Sequence, residues 1–132
     1  MFLNRLDADE KLAFLQLAHY IARSDNNFNN DEKRVIATYC LEMQINDIEY
    51  NESNFNFENI LSQIQNKKSQ NIIVMEVMAL VYADHLLHTN EKKIIDEIVE
   101  AFSMSEAQLD VSKEWAKSIL SLYAQGEAII KL

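Results

Sequence analysis

The near absence of glycine and proline is the strongest constraint on this fold. The 132 residues include no proline and one glycine, Gly126. Tight β-hairpin turns usually need residues that tolerate a positive φ, so a β-sandwich or barrel is not expected. Hydrophobic residues make up 48% of the chain, which is enough for a core. We therefore predict an all-α, compact single-domain bundle of about six or seven helices spanning residues 1–132.

Apolar residues that recur at helical spacing locate the helices. Glu10 and Gln108 each follow a helix-capping residue by three positions, which is the spacing of a capping box. The expected helix starts lie near Asp7, Asn29, Phe57, Asn71, His88 and Ser105.

The last helix has an apolar pattern of its own. A buried stripe is expected at Val111, Trp115, Ile119 and Leu122. Gly126 is expected to end or bend this helix, because glycine is a poor helix former.

The chain contains an internal repeat. A shift of 59 residues (73 − 14 = 59) aligns a copy at about 14–45 with a copy at about 73–104, without a gap. Each copy is a helix hairpin that cannot bury both of its apolar faces alone. We expect the two hairpins to cover each other about a pseudo-twofold axis. Aligned pairs include Phe14 with Ile73, Ala18 with Val77, Ile21 with Leu80 and Met43 with Phe102, whereas Leu17 against Glu76 is a mismatch.

Both copies carry an aspartate followed seven positions later by a glutamate, Asp25 with Glu32 and Asp84 with Glu91. The aspartate lies where one helix ends and the glutamate where the next begins. Four such carboxylates could bind a hard divalent cation such as calcium or magnesium, in two sites or in one joint site. The competing interpretation is helix capping alone, since Asn29 and Glu32 also have capping-box spacing.

Other candidate side chains point to less specific chemistry. His85 and His88 stand beside the second acidic pair and could bind zinc with it, although histidines in polar loops are more often surface residues. His19 has no partner that the sequence identifies, and we expect it at the edge of the core. Cys40 lies on the apolar face of the second helix, where a packing role is expected.

The charge balance limits the partners. The net charge is 12 − 21 = −9, and an acidic surface repels phosphate backbones, so nucleic acid is not expected. A protein partner is expected, without an identity.

A single cysteine excludes an internal disulfide and fits a reducing compartment. No apolar run is long enough for a transmembrane helix, so we expect a cytoplasmic protein.

The segments Ala22-Arg23-Ser24-Asp25, with Glu32 following, and Tyr82-Ala83-Asp84-His85, with Glu91 following, resemble the signature of the tellurite-resistance TerB family. That signature is an apolar helix ending in Ala-Asp-Gly, a short loop and a glutamate at the next helix start, and the family carries it twice. The resemblance extends from about residue 7 to 125. This chain departs from the signature after each aspartate, where Asn26 and His85 replace glycine.

The resemblance implies an all-α fold and an acidic cluster at Asp25, Glu32, Asp84 and Glu91 that binds metal ions. It also implies a role in bacterial tellurite or stress responses, or in a membrane-associated assembly. The chain contains no recognisable catalytic motif. We therefore predict a non-catalytic, acidic, cation-binding module. The alternative is a helical protein–protein interaction domain whose acidic pairs only cap helices.

Overall fold

Side-chain caps determine where most of the helices begin. The computed structural model describes residues 1–24, 28–82 and 89–132. These residues form helices and loops without a β-strand, which confirms the predicted all-α class. The α-helices within them are α1 (Ala8–Ala22), α2 (Asn30–Met43), α3 (Phe57–Ser62), α4 (Lys67–Val81), α5 (Thr89–Ala101) and α6 (Glu106–Ile130).

The capping boxes predicted from spacing are present. The Asp7 side chain accepts a hydrogen bond from the Glu10 backbone N–H at 2.8 Å, and the Glu10 carboxylate accepts one from the Asp7 N–H at 3.0 Å. Ser105 and Gln108 form the same reciprocal pair at the start of α6. Each box satisfies backbone donors that a helix start leaves without a partner.

α4 begins at Lys67, so the predicted start near Asn71 was wrong. The Asn66 side chain accepts hydrogen bonds from the backbone N–H groups of Lys68 and Ser69, and this cap fixes the earlier start. The first turn of α4 is polar, so apolar periodicity does not detect it. α3, which precedes this cap, ends at Ser62.

The predicted stripe of α6 is confirmed only in part: Trp115 is partly buried against the core and Ile119 is partly buried, but the other two positions are exposed. Val111 and Leu122 are 70% and 59% exposed, and the buried residues of α6 are Leu109, Ser112 and Ala116. α6 packs against α4, and small side chains at a helix contact let the two backbones approach closely.

α6 also continues through Gly126 to Ile130, so the prediction that glycine ends it was wrong. A glycine inside a helix costs only about 1 kcal/mol relative to alanine, and a Cβ at this position would meet no atom within 4 Å. None of the described helices combines the length and apolarity that a bilayer crossing requires.

The two helices that the repeat equates, α1 and α4, pack against each other in the centre. α1 also contacts α2, α3 and α5, while α4 contacts α5 and α6. The aligned pairs named above are buried in both copies, including the mismatched pair Leu17 and Glu76. The pseudo-twofold relation itself stays a prediction, because residues 25–27 and 83–88 lie outside the described ranges.

Candidate functional site

The two glutamates of the predicted metal site occupy equivalent places in the fold. Glu32 lies in the first turn of α2 and Glu91 in the first turn of α5. Only 3% of Glu32 and 2% of Glu91 is exposed, although glutamates are rarely buried so completely. Both carboxylates therefore point into the protein. The remaining predicted ligands lie outside the described residues, and they are Asp25, Asp84, His85 and His88.

Helix capping accounts for Glu32 less well than for the corresponding residues of the other capping boxes. The Asn29 N–H donates to the Glu32 carboxylate at 3.5 Å, whereas the same bond is 3.0 Å long at Glu10 and at Gln108. A distance of about 3.5 Å is at the weak end for an N–H···O bond. Both Glu32 and Glu91 make interactions within the protein, so neither side chain is unpaired.

One hydrogen bond joins the end of α1 to the start of α5. The Asn90 side-chain amide, next to Glu91, donates to the main-chain carbonyl of Ser24 at 3.1 Å. Ser24 directly precedes Asp25 in the chain. The start of α5 is thereby held against the end of α1.

The hairpin junction is the contact between Ser24, after α1, and Asn90, in α5. A cavity of about 280 Å³ opens beside it. Its wall combines aromatic side chains with charges of both signs, so it can accommodate a polar ligand. The residues lining it include Tyr20, Arg23, Tyr50, Glu52, Lys93 and Glu97.

Arg23 is held in place by aromatic rings and a histidine. Its guanidinium lies 4.3 Å from the centre of the Phe28 ring and 5.3 Å from that of Tyr50, which are cation–π distances. One guanidinium nitrogen lies 3.4 Å from Nδ1 of His19. These contacts therefore hold the positively charged Arg23 side chain in place next to the hairpin junction.

His19 has a partner that sequence reasoning missed. It is buried, and its Nε2 lies 2.8 Å from Oδ1 of Asp47 in the segment between α2 and α3. Because Arg23 can only donate to Nδ1, the ring proton belongs on Nε2, which donates to Asp47. His19 and Asp47 are 28 positions apart, and no local spacing connects them.

Cys40 is buried, as the pattern predicts. Burial raises the pKa of its thiol, and the nearby Asp47 carboxylate raises it further. A thiol with a raised pKa remains protonated near neutral pH and is a weak nucleophile. The chemistry of Cys40 therefore fits a packing role.

Within residues 1–24, 28–82 and 89–132, no three His, Cys, Asp or Glu side chains are arranged to hold a metal ion. A site built on Glu32 and Glu91 would therefore need further ligands, for which Asp25 and Asp84 are the sequence candidates. No protein-family model matches the chain, and comparison with curated proteins and with solved structures returns no match. Membership of the TerB family stays a prediction.

Proposed function

We propose that this protein is a non-catalytic, TerB-like module that binds a divalent cation where its two hairpins meet. Glu32 and Glu91 would supply carboxylate ligands from the first turns of α2 and α5, and Asp25 and Asp84 would complete the site. The observation that carries the proposal is the equivalent burial of the two glutamates. The Asn90–Ser24 hydrogen bond supports a joint site, because it holds the start of α5 against the end of α1.

The donor set favours a hard cation. Carboxylate oxygens are the preferred ligands of calcium and magnesium. Zinc would require His85 and His88 as well, and it ranks behind the other two. A module of this type would act in a stress-response or membrane-associated assembly in the cytoplasm, the role that the TerB resemblance implies.

A second candidate function is protein–protein interaction without a metal. The observation that favours it is the exposed apolar surface of α6, which includes Leu122, Tyr123, Ile129 and Ile130. Large exposed apolar patches commonly mark binding surfaces. In this case Glu32 and Glu91 would serve only the helix starts.

Thermal melting in separate calcium, magnesium, manganese and zinc solutions tests the proposal. A cation that binds only the native state adds about 2.7 kcal/mol at a hundredfold excess over Kd, so the melting temperature should rise saturably. The substitutions Glu32→Gln and Glu91→Gln remove an anionic ligand while keeping a hydrogen-bond acceptor. Each should abolish the cation-dependent rise.

Glu10→Gln is the matched control. Glu10 occupies the same position in a capping box of α1 and is also buried, but it lies outside the hairpin junction. Glu10→Gln should lower the metal-free melting temperature about as much as Glu32→Gln does. It should leave the cation-dependent rise in melting temperature intact. Absence of a shift with every cation would reject metal binding and leave the interaction domain. A zinc-only shift that is lost in the double substitution His85→Ala, His88→Ala would move the site to the second turn.

A further inference from the structure

Glu76 is the residue that breaks the internal repeat, and it is buried. It stands in the middle of α4, where the first copy has Leu17. Only 3% of it is exposed. A buried carboxylate is costly unless it is paired and hydrogen-bonded. Its Oε1 accepts hydrogen bonds from the α-ammonium of Met1 at 2.7 Å and from the backbone N–H of Phe2 at 3.1 Å.

A second carboxylate completes the contact with the ammonium. Glu42, on α2, lies 2.7 Å from the same Met1 nitrogen. Burial alone would lower the pKa of this ammonium, but its hydrogen bonds to Glu42 and Glu76 more than offset that effect. The pKa lies above its ordinary value of 8.0. The pair therefore holds a protonated amine.

An apolar groove surrounds these two carboxylates. It encloses about 330 Å³ and runs between α2, α4 and α6. Tyr39, Ala79, Ile119 and Tyr123 line it together with Trp115, the only tryptophan of the chain. The Phe2 ring lies 6.1 Å from the Trp115 ring. The groove thus offers apolar contacts next to two anionic acceptors.

We propose that this groove is a binding site for peptides that begin with a free α-ammonium and large apolar residues, and that Met1 binds to its two carboxylates in cis. The recognition chemistry is specific for an amino terminus. Glu42 and Glu76 bind the ammonium, Glu76 also accepts the following peptide N–H, and the aromatic wall contacts the first side chains. Capture of a terminal amine by convergent acceptors is a known mode of peptide recognition. The site is independent of the proposed cation site.

The dipeptide amide Met-Phe-NH2 is the probe, and its acetylated form Ac-Met-Phe-NH2 is the matched control. The receptor is the full chain extended at its N-terminus by Gly-Ser, so that Met1 no longer carries an ammonium. Met-Phe-NH2 should bind saturably, observed as a change in Trp115 fluorescence and a rise in melting temperature. The acetylated peptide should bind at least about tenfold more weakly, because it loses the charge-assisted hydrogen bonds.

Variants of the extended chain separate site binding from nonspecific effects. Glu76→Gln and Glu42→Gln should each weaken binding of Met-Phe-NH2, whereas Glu58→Gln, which changes an exposed carboxylate on α3, should not. In the unextended chain, the same peptide should bind more weakly because Met1 competes, and binding should shift the NMR signal of the Phe2 amide. This second readout does not depend on folding of the extended chain.

Equal binding of the two peptides, or no response in either chain, would overturn the proposal. Tighter binding of Nα-acetyl-lysine amide than of Met-Phe-NH2 would also overturn it, because the site would then recognise a lysine side chain.

Discussion

His19 on α1 and Asp47 in the segment between α2 and α3 are joined by a 2.8 Å contact between Nε2 and Oδ1. This contact holds the segment between α2 and α3 against the buried side of α1. Tyr50, from the same segment, stacks on the His19 ring with 5.7 Å between ring centres. The imidazole is thereby held between a carboxylate, an aromatic ring and the Arg23 guanidinium.

We predict that His19 is the Nε2–H tautomer and that Asp47 maintains it. Asp47→Ala should lower the free energy of unfolding by about 1 kcal/mol, a modest loss because the carboxylate is half-exposed. Nitrogen-15 NMR of the ring should show an unprotonated Nδ1 in the unmodified chain. Asp31→Ala is the control, since Asp31 contacts only the exposed Arg34 among the ion pairs described. An Nδ1–H tautomer would contradict the geometry.

Sequence patterns predicted the helices because helix starts and apolar faces are local properties. Asp7 and Ser105 were located by the spacing of their capping boxes, and both boxes are present. The start of α4 was missed because Asn66 caps a polar turn that carries no apolar period. The buried face of α6 was predicted only in part, because the pattern marked the exposed Val111 and Leu122, while the small side chains of Ser112 and Ala116 make the buried contact.

The candidate site was predictable only in part, for the same reason. Glu32 and Glu91 were singled out by their place at helix starts, which the repeat makes visible. The pairs His19 with Asp47 and Glu76 with Met1 join distant segments, so no spacing rule connects them. The sequence shows one sign of the Glu76 contact, which is the mismatch with Leu17 in the repeat alignment. A charged residue at an apolar repeat position indicates that a buried partner should be sought.

The buried face of α6 can be tested by overpacking. Ala116 is fully buried in α6, which packs against α4, whereas Val111 is exposed. Ala116→Leu should destabilise the fold by about 1–3 kcal/mol, because extra methylene groups have no space there. Val111→Ala should change the free energy of unfolding by less than about 0.5 kcal/mol. Urea denaturation measures both, and the opposite ranking would restore the originally predicted stripe.

Stability should decrease as the pH rises above about 8. Interactions with Glu42 and Glu76 raise the pKa of the Met1 ammonium above 8.0, and burial raises the pKa of the Cys40 thiol above 9.0 and that of the Tyr39 hydroxyl well above 10.0. A group whose pKa is raised in the folded state stabilises the fold below its unfolded pKa, and this contribution is lost as the pH rises through its folded pKa.

Urea midpoints at pH values from 7 to above 9 would resolve these contributions. Cys40→Ala should remove the part of the decrease that begins near pH 9, and leave the part that begins near pH 8. Stability that stays constant across this range would mean that the Met1 ammonium is not held by the two carboxylates.

Replacing Glu76 by leucine, the residue type of the aligned Leu17 in the first repeat copy, tests two contributions to stability. One is the burial of a side chain at this position, and the other is the ion pair with Met1. In Glu76→Leu an apolar side chain of similar size fills the site, and Met1 keeps Glu42 as its partner. Exchanging a buried ionic group for a well-packed apolar one is often neutral or stabilising. We therefore expect Glu76→Leu to unfold within about 1 kcal/mol of the unmodified chain at pH 7, whereas Glu76→Ala, which leaves a cavity, should lose about 2–4 kcal/mol. The decrease in stability that begins near pH 8 should become smaller in Glu76→Leu, because Glu76 no longer raises the pKa of Met1. If Glu76→Leu is as unstable as Glu76→Ala, the carboxylate itself contributes to folding, and the Met1 contact is more than a way of satisfying a buried charge.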